Sequence, residues 1–166
     1  KFRGGAHNVL IATDLASRGL DIPEIRHVVH YQCPVHHSEF LHRNGRTARM
    51  HADGSAYLIL ADDESLPEYL DKKLPLLKVN PFTGVVAEPD FVCVYISAGK
   101  KDKISKGDVV GFLTKTGGLT GADIGLITII DNASYVAVKR NKTNAVLKNL
   151  KDQKIKKVRV KVEEAF

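Results

Sequence analysis

The chain has 166 residues, 43% of them hydrophobic, and a net charge of +6, room enough for one domain or two small ones. It has no apolar run of about 18 residues and no signal-like start at Lys1, so neither a membrane partner nor a secretion signal is expected. Cys33 and Cys93 are too few and too far apart for a disulfide framework, which favours a reducing, cytoplasmic setting with no disulfide partner. The only methionine is Met50, so Lys1 is not expected to be a natural translation start.

In chain order, the apolar patterning predicts strands at Asn8–Ala12, Arg26–Tyr31 and Ser55–Ala61, with helices at Ser38–Arg46 and Asp63–Lys73. Strands alternating with helices imply an α/β region built on a parallel sheet, placed at residues 1–75. The densest run of turn formers, Val79-Asn80-Pro81-Phe82-Thr83-Gly84 with Glu88-Pro89-Asp90, marks a linker at 76–90. Beyond it come a strand at Phe91–Ser97 and a helix at Lys106–Lys115, opened by Ser105 with Asp108 three residues on. Leu126–Ile130 and Tyr135–Lys139 read as a hairpin turned by Asp131-Asn132, followed by a helix at Thr143–Leu150. Ile155–Val162 alternates apolar and basic residues, as a half-buried strand does. The order βαββαβ predicts an α+β ferredoxin-like domain over 91–166, the plan of RNA-recognition modules.

Charge divides the chain at the same place. Residues 1–84 carry 10 basic and 10 acidic side chains, whereas 85–166 carry 15 and 9. Within the second part, 139–161 holds ten basic residues and one acid, Asp152. A single-sign block of that kind suits a polyanion such as RNA.

Two segments carry the chemistry. Ala12-Thr13-Asp14-Leu15-Ala16-Ser17-Arg18-Gly19-Leu20-Asp21 sets a hydroxyl, two carboxylates and an arginine at the end of an apolar run. His42-Arg43-Asn44-Gly45-Arg46-Thr47-Ala48-Arg49 repeats arginine every third residue, placing permanently charged planar donors where a polyphosphate could be gripped. In sequence and in order, the pair resembles motifs V and VI of the DEAD-box ATP-dependent RNA helicases. That resemblance implies an incomplete RecA-like lobe, the second of two that close over ATP. It also implies roles: Asp21 accepts a hydrogen bond from the ATP ribose, and Arg46 and Arg49 reach the γ-phosphate as arginine fingers. Such fingers are worth roughly 10³–10⁵ in rate. Thr13 and Arg18 would meet RNA, and His42 and Arg43 would couple the lobes.

The second segment departs from the family pattern at Asn44, where an apolar residue is usual, and at Ala48, where glycine is commoner. Asparagine at that place is expected to disturb local packing. The chain has no G-x-x-x-x-G-K-[ST] and no Asp-Glu-Ala-Asp, so ATP and Mg2+ are expected as cofactors of the full-length protein only. The chain by itself is expected to be inactive. Cys33, His36, His37 and His42 lie close together but lack the second regular pair that a structural zinc site uses, so no metal is expected.

The last domain resembles the C-terminal RNA-binding domain of the DbpA subfamily. The matching stretches are Gly99-Lys100-Lys101-Asp102-Lys103-Ile104, Gly107-Asp108-Val109-Val110-Gly111, Gly121-Ala122-Asp123-Ile124-Gly125 and Tyr135-Val136-Ala137-Val138. Tyr95 and Tyr135 fall at two positions expected to stack bases, and Ala133 occupies a third. Lys100, Lys101, Lys103 and Lys106 in the first loop, with Lys139, Arg140 and Lys142 after the third strand, would hold phosphates. The subfamily resemblance implies a structured, ribosomal RNA target and a part in ribosome biogenesis. Two function classes result: part of an ATP-dependent RNA helicase anchored by its RNA-binding module, or a non-catalytic RNA-binding protein with a vestigial half-lobe.

Overall fold

The structure is a computed structural model that describes residues 1–14, 25–47 and 53–165. The chain divides into two compact units, residues 11–85 and residues 86–166 joined by 1–10.

The 11–85 unit is built on a parallel pair, β1 (His27–His30) with β2 (Ser55–Leu58), His27 opposite Ser55 and His30 opposite Leu58. Parallel neighbours need a crossover, and the connection between them carries α1 (His37–Asn44). A separate isolated parallel bridge joins Ile25 to Thr47, just beyond the helix, and Thr47 donates its hydroxyl to the Arg26 carbonyl at 3.2 Å.

Two expected elements of this part of the chain are absent. No strand forms at Asn8–Ala12, which pairs with no strand among the described residues, and Val9 and Ile11 are exposed. The helix expected at Asp63–Lys73 is instead a run of separate turns, closed by Glu64 N–H to Ala61, Leu70 N–H to Pro67 and Leu74 N–H to Asp71. Pro67 has no N–H to give a helix and disfavours helical backbone in Leu66 before it. The Asp71 carboxylate takes the Lys73 amide at 2.9 Å, a local bond that competes with a helical ladder.

The 86–166 unit folds as βαββαβ. Its four-stranded antiparallel sheet has the order β4-β5-β3-β8, from β3 (Phe91–Ile96), β4 (Ile124–Ile129), β5 (Ser134–Lys139) and β8 (Val162–Glu164). Helices α2 (Lys106–Lys115) and α3 (Arg140–Asn149) cover one face. Alternation in β3 sends Val94 and Ile96 into the core, where they meet Val109 and Leu113 of α2, Val136 and Val138 of β5, and Val146 of α3. Phe91, Cys93 and Tyr95 take the opposite face. The start of α2 follows its sequence signature, with Ser105 and Asp108 closing a reciprocal cap. Gly99 is required sterically: a Cβ there would run into the Ile130 and Asp131 carbonyls.

The single strand expected at Ile155–Val162 is broken. A small hairpin, β6 (Lys154–Ile155) with β7 (Val158–Arg159), turns at Lys156 before β8 begins. Ile155 and Val160 are both buried, and the turn is what brings both to the core. Lys156 takes a left-handed backbone, φ 54°, to make it. Lys1–Gly5 belongs to this unit and lies over part of the open sheet face; an added Cβ at Gly4 would meet that of Ala137 at 3.2 Å.

Candidate functional site

In the 11–85 unit the two charged segments are joined by Arg43 and Asp14. Arg43 Nε donates to Asp14 Oδ1 at 2.5 Å and Nη2 to Oδ2 at 2.8 Å, a two-pronged pair that fixes both planes. Its third bond, Nη1 to the Gln32 carbonyl at 2.8 Å, ties the same guanidinium to the end of β1. Asp14 therefore acts as the anchor of Arg43, a partnership 29 residues long that no local pattern announces. The lobe coupling expected of Arg43 has to be set beside this internal use. Arg46 follows one turn later, half-buried beyond the end of α1, while Thr13 and His42 are exposed. Arg18, Asp21 and Arg49 lie outside the described residues.

Asn44 does not disturb the packing as expected. Its Oδ1 takes a hydrogen bond from His30 Nε2 at 2.7 Å, and His30 is buried and stacked on Phe40 with ring centroids 4.7 Å apart. Burial pushes the His30 imidazole below its ordinary pKa, against the pull of the Asn44 bond, so the ring stays neutral. An apolar residue at 44 would leave that buried N–H unpaired. The departure from the family pattern is thus matched inside the same unit.

Cys33, His37 and Phe40 meet Tyr69. The Tyr69 hydroxyl donates to the Pro34 carbonyl at 2.5 Å and lies 3.2 Å from Cys33 Sγ, while its ring stacks on His37. Desolvation, then the Cys33 bond, pushes the phenol up to about 12. These side chains are used to hold the turns after Ala61 against α1.

In the 86–166 unit, Tyr95 and Tyr135 sit directly opposite each other on β3 and β5, edge to face with centroids 5.7 Å apart. Both are half-buried on the open face, beside Thr128 on β4 and Glu163 on β8. Ala133, which occupies the third position, is buried in the turn before β5 and offers no stacking surface.

The β3–α2 loop is held by its backbone, Lys100 N–H to Ile130 and Lys101 N–H to Asp131, both at 2.9 Å. Lys100, Lys101, Lys103 and Lys106 are therefore exposed on a fixed frame. Lys142 is also exposed, and Lys139 lies 3.9 Å from Asp123. Arg140 has a structural use, with Nε donating to the Pro89 carbonyl at 2.7 Å and Glu88 nearby.

The cations that sequence reasoning left unassigned follow residue 150. Lys156 Nζ meets Asp108 Oδ2 and the Lys103 carbonyl, each at 2.8 Å, stapling the β6–β7 hairpin to the basic loop. Lys156 and the two bonds from Ser105 hold the Asp108 carboxyl down to about 2. The signal available in sequence was the basic residue between each apolar one from 154 to 161.

Comparison with known proteins places two families on the chain. Residues 1–51 match the helicase conserved C-terminal domain, and residues 93–164 match the DbpA RNA binding domain. The chain is 33% identical over 193 residues to the ATP-dependent RNA helicase DbpA of Bacillus subtilis (strain 168), covering 99% of this chain and 40% of that protein. It is 36% identical over 162 residues to the ATP-dependent RNA helicase DbpA of Escherichia coli (strain K12), covering 94% of this chain and 35% of that protein. A 64-residue stretch is 52% identical to DEAD-box ATP-dependent RNA helicase 53 of Oryza sativa subsp. japonica, covering 39% of this chain and 11% of that protein. The chain thus spans well under half the length of these relatives.

Proposed function

We propose that this chain is part of a DbpA-like DEAD-box helicase, an ATP-dependent RNA helicase whose C-terminal module anchors it on structured RNA, ribosomal in class. The observation that carries the reading is the two-pronged Asp14–Arg43 pair, which brings the segment of Thr13 and the segment of Arg46 together. Arg43 is held by Asp14 and the Gln32 carbonyl, so its guanidinium already has an internal use.

The arginines suit the phosphates of ATP, which with Mg2+ is expected in the full-length protein. Arg46 and Arg49 would stabilise charge on transferring phosphate oxygens, and Asp21 would accept from a ribose hydroxyl. Bound ATP supplies the phosphoryl group whose transfer drives remodelling. Thr13 and Arg18 would hold RNA phosphates, and His42 would relate the two sides. In the C-terminal module, Tyr95 and Tyr135 would stack bases while Lys100, Lys101, Lys103, Lys106, Lys139 and Lys142 hold phosphates. Two free thiols, Cys33 and Cys93, fit work in the reducing cytoplasm.

The test uses the complete helicase. Arg46→Ala should lower RNA-stimulated ATP hydrolysis by roughly 10³–10⁵ and leave RNA affinity of the C-terminal module unchanged. Hydrolysis at the unsubstituted rate would overturn the reading.

A further inference from the structure

Four side chains stand in one row across the open face of the 86–166 sheet. In the strand order β4-β5-β3-β8 they are Thr128, Tyr135, Tyr95 and Glu163, each directly opposite the next. The ring pair is therefore flanked by a hydroxyl on one side and a carboxylate on the other. Val162 and Glu164, on either side of Glu163, take the helix-covered face. There Val162 joins Leu147 and Val160 in the floor of a groove beside the end of α3, rimmed by Lys151, Arg159 and Lys161.

Glu163 is half-buried, and its Oε2 takes the Lys161 ammonium at 2.7 Å. The carboxylate has no other partner among the described residues, and that bond uses one of its roughly four lone-pair sites. A carboxylate repels the phosphates of a polyanion, so beside two base platforms it costs affinity unless it meets a donor. Neighbouring strands lie about 4.8 Å apart, so a base stacked on Tyr95 reaches over β8 and brings an edge to Glu163. An ionised carboxylate only accepts. Guanine alone carries two adjacent donors on its Watson–Crick edge, N1–H and the 2-amino group, and these match the two carboxylate oxygens. Adenine and cytosine set a ring acceptor beside their amino group, and uracil sets its single N–H between two carbonyls. Thr128 both donates and accepts, and so favours no base.

We propose that Glu163 is a specificity-determining residue of the open sheet face, selecting an unpaired guanine stacked on Tyr95 by accepting its N1–H and 2-amino protons. The inference rests on base stacking by the tyrosine pair, and adds which base is chosen and by which group.

The probe is a fluorescein-labelled RNA hairpin with a loop of uridines, one position of which is guanine, inosine, adenine, cytosine or uracil. It is titrated with the full 166-residue chain at fixed salt. The guanine loop should bind at least about fivefold more tightly than the adenine, cytosine and uracil loops, the low end of what one two-pronged base contact discriminates. Inosine, which stacks as guanine does but lacks the 2-amino group, should fall between. Glu163→Gln should bring the five loops together while the all-uridine loop binds as well as before or better, since a negative charge has been removed. Equal binding of the five loops by the unsubstituted chain, or a guanine preference that survives Glu163→Gln, would overturn the selection of guanine. A Glu163→Gln chain that loses every loop alike would make the residue structural and overturn it too. In each of these cases Tyr95→Ala should still weaken binding; parental affinity of Tyr95→Ala for every loop would instead overturn the stacking on which the inference rests.

Discussion

Removal of the Tyr135 ring separates stacking from charge. Tyr135 faces Tyr95 across the β3–β5 pair, with ring centroids 5.7 Å apart, and both rings are half-buried on the open face of the sheet. Tyr135→Ala takes away one base-sized platform, worth about 1–3 kcal/mol of binding, or roughly 5–150-fold in Kd. It also removes an aromatic pair worth about 0.5–1.5 kcal/mol of folding, a few degrees in Tm. Tyr135→Phe keeps the ring and should bind as the parent does. The assay is fluorescence anisotropy on the RNA hairpin at several salt concentrations, beside a thermal melt of each variant. Because no cation is removed, the salt slope should stay fixed while the intercept falls. A Tyr135→Ala variant with parental affinity, or one whose slope flattens as a lysine variant's does, refutes stacking at this position.

Three further outcomes are expected. Residues 86–166 alone should keep nearly all the RNA affinity of the chain and 11–85 should show little, as measured by the same anisotropy titration. Asn44→Ala should leave the His30 N–H unpaired in a buried site, a loss of about 1–3 kcal/mol, seen as faster amide exchange in His27–His30 with the 86–166 unit unchanged. Asp108 is held at about 2, below the ordinary 3.8, first by Lys156 and then by Ser105. Its contribution to stability is therefore complete above pH 4 and is lost as pH falls toward 2; an acid titration should show that loss, and Asp108→Asn should remove it.

The 86–166 unit was the more legible because its local signals agree with its tertiary structure. The Ser105–Asp108 cap, the alternation through Phe91–Ile96 and the Asp131-Asn132 turn each specify an element without help from afar. In 11–85 the determinants are non-local or are single breakers. Asn8–Ala12 has strand-forming residues but no partner strand among the described residues, and a strand without a ladder is not one. Helix-favouring side chains between Asp63 and Lys73 were outweighed by Pro67. The Asp14–Arg43 and His30–Asn44 pairs join residues 29 and 14 positions apart, and neither follows from spacing. Asn44 in particular looked like a flaw only because its partner, a histidine in the middle of a strand, could not be identified from sequence.

Charge shows most clearly what a residue count leaves out. The ten basic residues of 139–161 are not equivalent once their partners are known. Arg140 holds the Pro89 carbonyl, Lys156 holds the α2 cap, and Lys139, Arg159 and Lys161 each sit beside a carboxylate. Displacing any of these to meet a phosphate gives up an existing bond, so the net gain from a new contact is small. Lys142, Lys148, Lys151, Lys154 and Lys157 carry no such commitment among the described residues, and a phosphate meeting them replaces only water and counterions. Half of the basic block therefore shapes the edge and the other half remains available to bind. Three of the available five, Lys151, Lys154 and Lys157, lie on the hairpin and beside the groove, away from the two tyrosines. Polyanion binding by this module should accordingly centre on that edge and the adjoining loop.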